Sequence, residues 1–124
     1  MQRNTKQREA IKDVLLNTRR PLRMSEVHEL ATRQVPGIGI ATVYRTVKAL
    51  SANGWLEVVE MPGETPRYEC AGKDHHHHFR CNSCERVYNL EGCLGGMEAL
   101  LPSGFRLESH ELVLTGTCNT CVRS

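Results

Sequence analysis

The chain has 124 residues, enough for one domain or two very small ones, and its apolar (40%) and charged (24%) content is that of a globular protein. No window approaches the roughly 18 apolar residues of a membrane span, and the first residues lack the apolar segment of a signal peptide. The net charge of +2 hides an asymmetry, because residues 1–55 carry ten basic and four acidic residues (+6) and residues 56–124 carry six and ten (−4). We therefore expect a cytoplasmic protein with no membrane partner. The asymmetry suggests a first half that meets a polyanion, although on charge alone two solvated surfaces of accidental sign are the favoured interpretation.

The first half of the chain has the pattern of three short helices followed by a β-hairpin. Apolar residues recur at helical spacing and are flanked by capping and stop residues, and two extended runs then flank a turn rich in proline and glycine. The predicted elements are helices over about 6–18, 25–35 and 40–52 and strands over 55–60 and 67–70. This order predicts a winged helix-turn-helix domain over residues 1–70.

The third predicted helix presents a face suited to DNA. Its outer side chains are small, hydroxylated, aromatic or cationic, and they include Thr42, Tyr44, Arg45 and Lys48. Arginine and lysine neutralise phosphates, whereas threonine and tyrosine can contact base edges. The alternative is an ordinary helical core with a solvated cationic face. Helix order, charge and hairpin together favour double-stranded DNA as a partner.

The second half of the chain, residues 71–124, predicts a small α/β domain. Strands are expected over 75–80 and 86–90, a short helix weakened by glycines over about 91–101, and the longest strand over 105–114. Neither half of the chain can bury much apolar surface alone. A structural metal and an oligomer interface are the usual remedies, so both are expected here. The predicted class of the whole chain is α+β.

Two cysteine pairs with two intervening residues bracket this second domain. Two such pairs, Cys81 with Cys84 and Cys118 with Cys121, complete one tetrahedral zinc site because both sulfurs of each pair can face the same ion. Four thiolates leave no open coordination position, so the site is predicted to be structural and no enzyme is expected. Disulfides are the alternative, which a reducing cytosol disfavours.

Four consecutive histidines precede the first cysteine pair. Side chains alternate along a strand, so His75 and His77 would face one way and His76 and His78 the other. Each pair needs two further ligands to hold a metal, and an exposed polar strand or an expression tag is the alternative. The nearby candidate ligands are Glu57, Glu60, Glu69, Cys70, Glu91, Cys93 and His110.

A series of short motifs spans nearly the whole chain in one order. They are TKQR (5–8), IATVYR (40–45), RYE (67–69), HHHHFRCNSC (75–84), GF (104–105) and GTCNTC (116–121), together with His110. In this set the chain resembles the ferric-uptake-regulator (Fur) family of metal-sensing repressors. The resemblance implies a winged helix joined to a dimerisation domain, and a homodimer that binds palindromic operators when a regulatory metal is present. It also implies that Tyr44 and Arg45 contact bases and backbone, that Arg3 reaches DNA, and that the four cysteines hold structural zinc.

The identity of residue 70 bears on the regulatory metal. Iron and peroxide sensors of the family usually place carboxylates at the positions of Cys70 and Asn89, whereas zinc-uptake regulators (Zur) place a cysteine at the first. Thiolate favours zinc over iron or manganese. The resemblance therefore implies a regulatory zinc site in a repressor of zinc-homeostasis genes, with an iron- or peroxide-responsive regulator as the alternative. The implied ligands are Glu57, Cys70, His76 and His78.

A third candidate site departs from the family pattern. His75, His77 and His110 match that pattern, but the expected glutamate is missing, and either Cys93 or Glu91 takes its place. Cys93 keeps the family's distance to His110, so we predict a site of His75, His77, Cys93 and His110 and a total of two or three zinc ions per subunit. The other hypotheses are a thiol-redox sensor, a zinc hydrolase, for which no HExxH motif or small-molecule substrate is indicated, and an interaction module without DNA binding.

Overall fold

The computed structural model describes residues 2–72, 75–93 and 95–122, with side chains from residue 5 onward. Backbone contacts divide the chain into two compact units, an N-terminal unit of Met1–Lys73 and a C-terminal unit of Asp74–Ser124. None of the helices in the described ranges combines the length and the apolar character that crossing a membrane requires.

The N-terminal unit consists of three helices and a two-stranded antiparallel hairpin. Strand pairing runs from Leu56 opposite Cys70 to Val59 opposite Arg67, and a single bridge between Leu22 and Tyr68 extends the hairpin. The elements are α1 (Gln2–Asn17), α2 (Met24–Gln34), α3 (Ile40–Ala52), β1 (Leu56–Val59) and β2 (Arg67–Cys70). The helices and hairpin expected from sequence are all present.

The core of the N-terminal unit is built from one apolar face of each helix. In α3, Val43, Val47 and Leu50 are buried at a spacing of one helical turn, so the opposite face of the helix is left outward. Burying one such side chain contributes about 1.5–3 kcal/mol. The fully or nearly fully buried members are Ala10, Ile11, Val14, Leu15, Leu22, Val27, Ala31, Ile38, Val43, Val47, Leu50, Leu56 and Tyr68.

A charged network ties the hairpin to the start of α2. Arg67 is completely buried, and its Nη2 donates a hydrogen bond to Glu64 Oε1 at 3.2 Å. The same carboxylate oxygen accepts a bond from Arg23 Nη2 at 3.4 Å. Burial and the nearby charge of Arg23 lower the pKa of Arg67, and Glu64 opposes that shift. Glu64, with a smaller contribution from Glu26, therefore offsets part of the cost of burying this guanidinium.

The C-terminal unit is a three-stranded mixed sheet with little helix. Its strand order is β4-β3-β5, with β3 antiparallel to β4 and parallel to β5. Met97–Leu100 form a single 3-10 turn. The remaining elements are β3 (His77–Cys81), β4 (Val87–Leu90), β5 (Val113–Gly116) and a one-turn helix α4 (Asn119–Val122). The predicted α+β class, with a winged helix followed by a small unit that carries a four-cysteine cluster, is confirmed.

Two expectations for the C-terminal unit were wrong. The helix expected over 91–101 is reduced, within the described residues, to the 3-10 turn, because Gly92 and Gly96 adopt left-handed φ angles of 88° and 82° that interrupt a helix. The long strand expected over 105–114 is absent, and β5 begins only at Val113. Its extent is set by its partner, since the parallel register pairs His78 with Val113 and ends with Cys81 opposite Gly116.

Candidate metal centres and nucleic-acid interface

The four paired cysteines converge at one end of the β3–β5 pair. Cys81 ends β3, Cys84 lies in the turn that follows, Cys118 comes just after β5 and Cys121 lies in α4. Their sulfur atoms all lie within 4.8 Å of one another, and Cys84 Sγ and Cys118 Sγ are 3.9 Å apart. A tetrahedral zinc ion with bonds of about 2.3 Å separates its sulfur ligands by about 3.8 Å. The cluster therefore fits a zinc ion, and all six cysteines of the chain are thiols rather than disulfides.

Hydrogen bonds shift the pKa values of the cysteines in this cluster. The backbone N–H groups of Cys84 and Cys118 donate to Cys81 Sγ at 3.5 and 3.3 Å, and they lower the pKa of Cys81 to about 6. The Tyr88 hydroxyl likewise lowers the pKa of Cys118 by donating to its sulfur. Hydrogen bonding to Cys118 and burial raise the pKa of Cys121 to about 12. Cys81 is thus mostly thiolate near neutral pH, whereas Cys121 keeps its proton until a metal displaces it.

A second cluster joins three imidazoles and one thiol. His75 Nε2 lies 3.2 Å from both His77 Nε2 and His110 Nε2, and Cys93 Sγ lies 3.3 Å from His77 Nε2 and 2.9 Å from His110 Nε2. All four ligand atoms lie within 4.8 Å of one another. Nitrogen ligands of a tetrahedral zinc ion are separated by about 3.3 Å, so this donor set also fits zinc.

Burial of His77 favours its neutral imidazole, which is the form that binds a metal. Its side chain is only 3% exposed, and this burial lowers the pKa of His77, as do the imidazoles of His75 and His110. A neutral imidazole offers the lone pair that a metal needs. The structure thus brings together all four residues of the third candidate site. That they bind a metal stays a prediction.

The other two histidines lie on the opposite side of the strand. The ring centroids of His76 and His78 are 4.9 Å apart, so the alternation expected along an extended segment separates the run into two pairs. The other two predicted regulatory ligands belong to the N-terminal unit. There Cys70 is half-buried at the end of β2, with its Sγ 3.5 Å from Leu15 O, and Glu57 is exposed on β1. The regulatory site as a whole therefore remains a prediction.

The outward face of α3 carries the predicted DNA contacts. Tyr44 is 54% exposed, Lys48 Nζ lies 5.4 Å from its ring centre, and Arg45 Nη2 donates to Thr42 Oγ1 at 3.3 Å. Arg3 lies in α1, but its side chain falls outside those the structure describes, so its role also stays a prediction.

One basic residue was missed by the sequence analysis. The exposed Arg8 of α1 lines a shallow cavity of about 250 Å³ together with Thr42, Arg45, Thr46 and Ala49 of α3. Arg8 belongs to the TKQR motif that opens the chain, which was the available signal. Only the packing of α1 beside α3 shows that it shares a surface with the predicted recognition residues.

Comparison with known proteins gives a consistent result. Residues 2–115 match the family model described as the ferric uptake regulator family. The ferric uptake regulation protein of Campylobacter jejuni is 33% identical over 87 residues, and this match covers 68% of the chain but only 55% of that protein. The chain therefore spans little more than half the length of that curated relative.

Two further similarities cover nearly the whole chain. The zinc uptake regulation protein of Mycobacterium tuberculosis is 32% identical over 123 residues, covering 96% of this chain and 94% of that protein. The solved structure of a zinc-bound manganese uptake regulator has a TM-score of 0.79 at 28% identity, covering 90% of this chain and 87% of that one. The names of the three proteins refer to iron, zinc and manganese, so similarity alone leaves the metal open.

Proposed function

The chain belongs to the ferric uptake regulator family, and on that premise we propose that it is a DNA-binding transcriptional regulator that responds to zinc. As a homodimer, it binds palindromic operators and mostly represses zinc-homeostasis genes. The names of its relatives describe regulators of uptake rather than enzymes, in agreement with the expectation that this chain is not an enzyme. The observation that carries the choice of zinc is the donor chemistry of the candidate metal centres.

Both clusters of four donor atoms include a thiol. The structural site has four and the third site has Cys93, and Cys70 would add one to the proposed regulatory site. Thiolate and imidazole together favour zinc, whereas manganese and iron(II) are better served by carboxylates. Opposite His78 in the β3–β4 register stands Asn89, whose neutral amide is a weaker ligand for those ions than a carboxylate would be. This composition supports zinc over iron or manganese.

The proposed regulatory ligands come from both parts of the chain. Glu57 and Cys70 belong to the N-terminal unit, and His76 and His78 belong to the C-terminal unit. An ion bound by all four would link the winged helix to the rest of the chain. In a dimer, such a link restricts the separation of the two α3 helices to the spacing of operator half-sites, about one helical turn of DNA or a multiple of it. Zinc then acts by favouring the conformation that DNA selects.

Arg8 belongs to the same proposed DNA interface. Because it lines a cavity with Thr42 and Arg45, its guanidinium is placed to neutralise a phosphate while Tyr44 reaches the bases. A residue that contacts only phosphate weakens binding to all sequences about equally and lowers the salt dependence of affinity.

The test is DNA binding by fluorescence anisotropy against buffered free zinc. The probe is a palindromic duplex selected from a random pool in the presence of zinc, and the metal content of each chain is counted in parallel. We expect tight binding only after zinc occupies more than the four-cysteine site. Replacing Cys70→Ala should raise the free zinc needed by more than about tenfold, the loss typical even of a residue that merely supports a ligand.

The matched control for this test is Glu60→Ala, which removes an exposed carboxylate close to Glu57 and should leave the zinc requirement unchanged. An unchanged zinc requirement in Cys70→Ala would place the switch elsewhere. Equal activation by iron(II) or manganese would instead support the alternative, an iron- or peroxide-responsive regulator of the same family.

A further inference from the structure

The structure shows which side chain lies beside the three imidazoles of the second cluster. Sequence left Cys93 and Glu91 as alternatives, but in the structure Cys93 Sγ joins the three imidazoles. Among the described residues, Glu91 is exposed and is not in the convergent group. His77, nearly inaccessible to solvent, directs its Nε2 to within 3.3 Å of the Cys93 sulfur. The donor set of this cluster is therefore one thiol and three imidazoles, with no carboxylate.

We infer that Cys93 is the residue that sets the metal selectivity of this cluster, restricting it to thiophilic ions such as zinc and cobalt(II) and excluding manganese. Three neutral imidazoles and one thiolate carry a single negative charge in a four-coordinate arrangement. Manganese prefers oxygen donors and octahedral coordination, whereas zinc accepts nitrogen and sulfur in a tetrahedron. The chain has cysteine where the family pattern that it resembles has glutamate, so its selectivity departs from that pattern.

Exposure distinguishes this cluster from the four-cysteine site. Only His77 is buried in the second cluster, where His75 and Cys93 are exposed. Two of the four paired cysteines, Cys81 and Cys118, are buried and one, Cys84, is exposed. Solvent and chelators therefore reach the second cluster more easily. A mild chelator should remove its ion first and leave one zinc in the four-cysteine site. The second cluster is thus an exchangeable site for a thiophilic ion.

Cobalt(II) is the probe for this inference, because a cobalt–thiolate bond gives an intense charge-transfer band. The experiment uses the full chain with its structural zinc retained, in a Cys70→Ser background that removes the other candidate thiolate. We expect a charge-transfer band from one cobalt per chain. Replacing Cys93→Ser should abolish the band and weaken zinc binding by more than tenfold. Glu91→Gln, the matched control, should change neither.

Manganese binding gives the complementary measurement. Free manganese(II) is counted by its electron paramagnetic resonance signal, first with the Cys70→Ser protein and then with Cys93→Glu added. We expect the cysteine form to leave manganese free and the glutamate form to bind it at least tenfold more tightly. Manganese binding to the cysteine form at the cluster, or a charge-transfer band that survives Cys93→Ser, would overturn the inference.

This inference rests on the proposed zinc response only for its choice of metal, and its measurements do not involve DNA. The two can fail separately. A chain that binds DNA without zinc but shows the Cys93-dependent band would refute the proposed function and leave the selectivity of the cluster standing. A zinc-responsive chain whose cluster binds manganese would refute the proposed selectivity and leave the proposed function standing.

Discussion

At the scale of single residues, Arg67 is the side chain whose burial most needs explanation. A guanidinium stays charged even in an apolar setting, so its burial is costly unless a carboxylate lies beside it. Glu64 supplies that carboxylate from the turn between β1 and β2 and also bonds to Arg23 just before α2. The interaction therefore fixes the hairpin on the helices as well as neutralising a buried charge.

Removing the carboxylate should destabilise the N-terminal unit. We expect Glu64→Gln to lower the free energy of unfolding by about 1–3 kcal/mol, because the buried Arg67 loses the charged group that accepts its hydrogen bond. Urea unfolding of the zinc-loaded protein measures this loss through the fluorescence of Trp55, which packs against the same core and is the chain's single tryptophan. The control is the exposed Glu60→Gln, for which a change within about 0.5 kcal/mol is expected. Equal stability of the two variants would contradict the role given to Glu64.

The candidate site residues differ in how far sequence could identify them. The four paired cysteines were predictable because their spacing alone brings two sulfurs to one ion, and the two histidine pairs were predictable because strand alternation is local. Cys93 could not be separated from Glu91, since the choice depends on the irregular segment that replaces the expected helix. Arg8 could not be placed at all, because its position beside Arg45 results from packing between two helices.

At the scale of elements, the parallel pairing of β3 with β5 is what assembles the four-cysteine cluster. It places Gly116 opposite Cys81, and Asn82 N donates to Gly116 O at 2.7 Å, so that Cys118 arrives beside the first cysteine pair. A Cβ on Gly116 would lie 3.3 Å from the Phe79 ring. A side chain at this position would therefore press on the Phe79 ring, which would have to shift for the two strands to stay close.

A larger residue at this position should loosen the cluster. We expect Gly116→Val to displace β5 from β3, since overpacking costs about 1–3 kcal/mol, and to speed zinc loss to a chromophoric chelator by about fivefold or more. Gly95→Val is the matched control, because a Cβ on Gly95 meets nothing within 4 Å and this glycine does not have a left-handed φ. Zinc release at the same rate from both variants would show that the contact with Phe79 is unimportant.

The helices and strands also differ in whether the local sequence determines their bounds. Helix α3 was predicted at its observed bounds because apolar periodicity and the stop at Asn53 and Gly54 are encoded within the segment. Strand β5 was predicted too early, because a parallel strand is defined by a partner distant in the chain. The bridge between Leu22 and Tyr68 was not predicted for the same reason.

At the scale of the whole molecule, the two units are stabilised by different means. The N-terminal unit has a continuous apolar core contributed by all three helices and the hairpin. In the described part of the C-terminal unit, the buried side chains are Val87, His77, Cys81 and Cys118, and the last three belong to the candidate metal centres. Folding is therefore expected to require metal in the C-terminal unit and to proceed without it in the N-terminal unit.

Loss of the structural zinc should unfold one unit and spare the other. We expect Cys81→Ser to leave the chain without this ion, to abolish amide protection in β3, β4 and β5, and to leave the protection of α1, α2 and α3 nearly unchanged. Hydrogen exchange read by mass spectrometry measures both effects in one sample. Cys93→Ser is the control, since it spares the four-cysteine site. Protected β3 amides in a zinc-free Cys81→Ser protein would refute the coupling.

The parallel arrangement of β3 and β5 also has a kinetic consequence. Residues 85–117 form a loop that must close before Cys118 can meet Cys84, at an entropic cost of about 3 kcal/mol for a flexible chain of this length. The N-terminal unit also closes long loops, as between Leu22 and Tyr68, but its apolar core offsets that cost without a metal. Bound zinc offsets the entropic cost of loop closure in the C-terminal unit. The folding rate of this unit should therefore rise with the free zinc concentration. A newly made chain in a zinc-poor cell would thus acquire its winged helix first and keep its metal-binding half unfolded for longer.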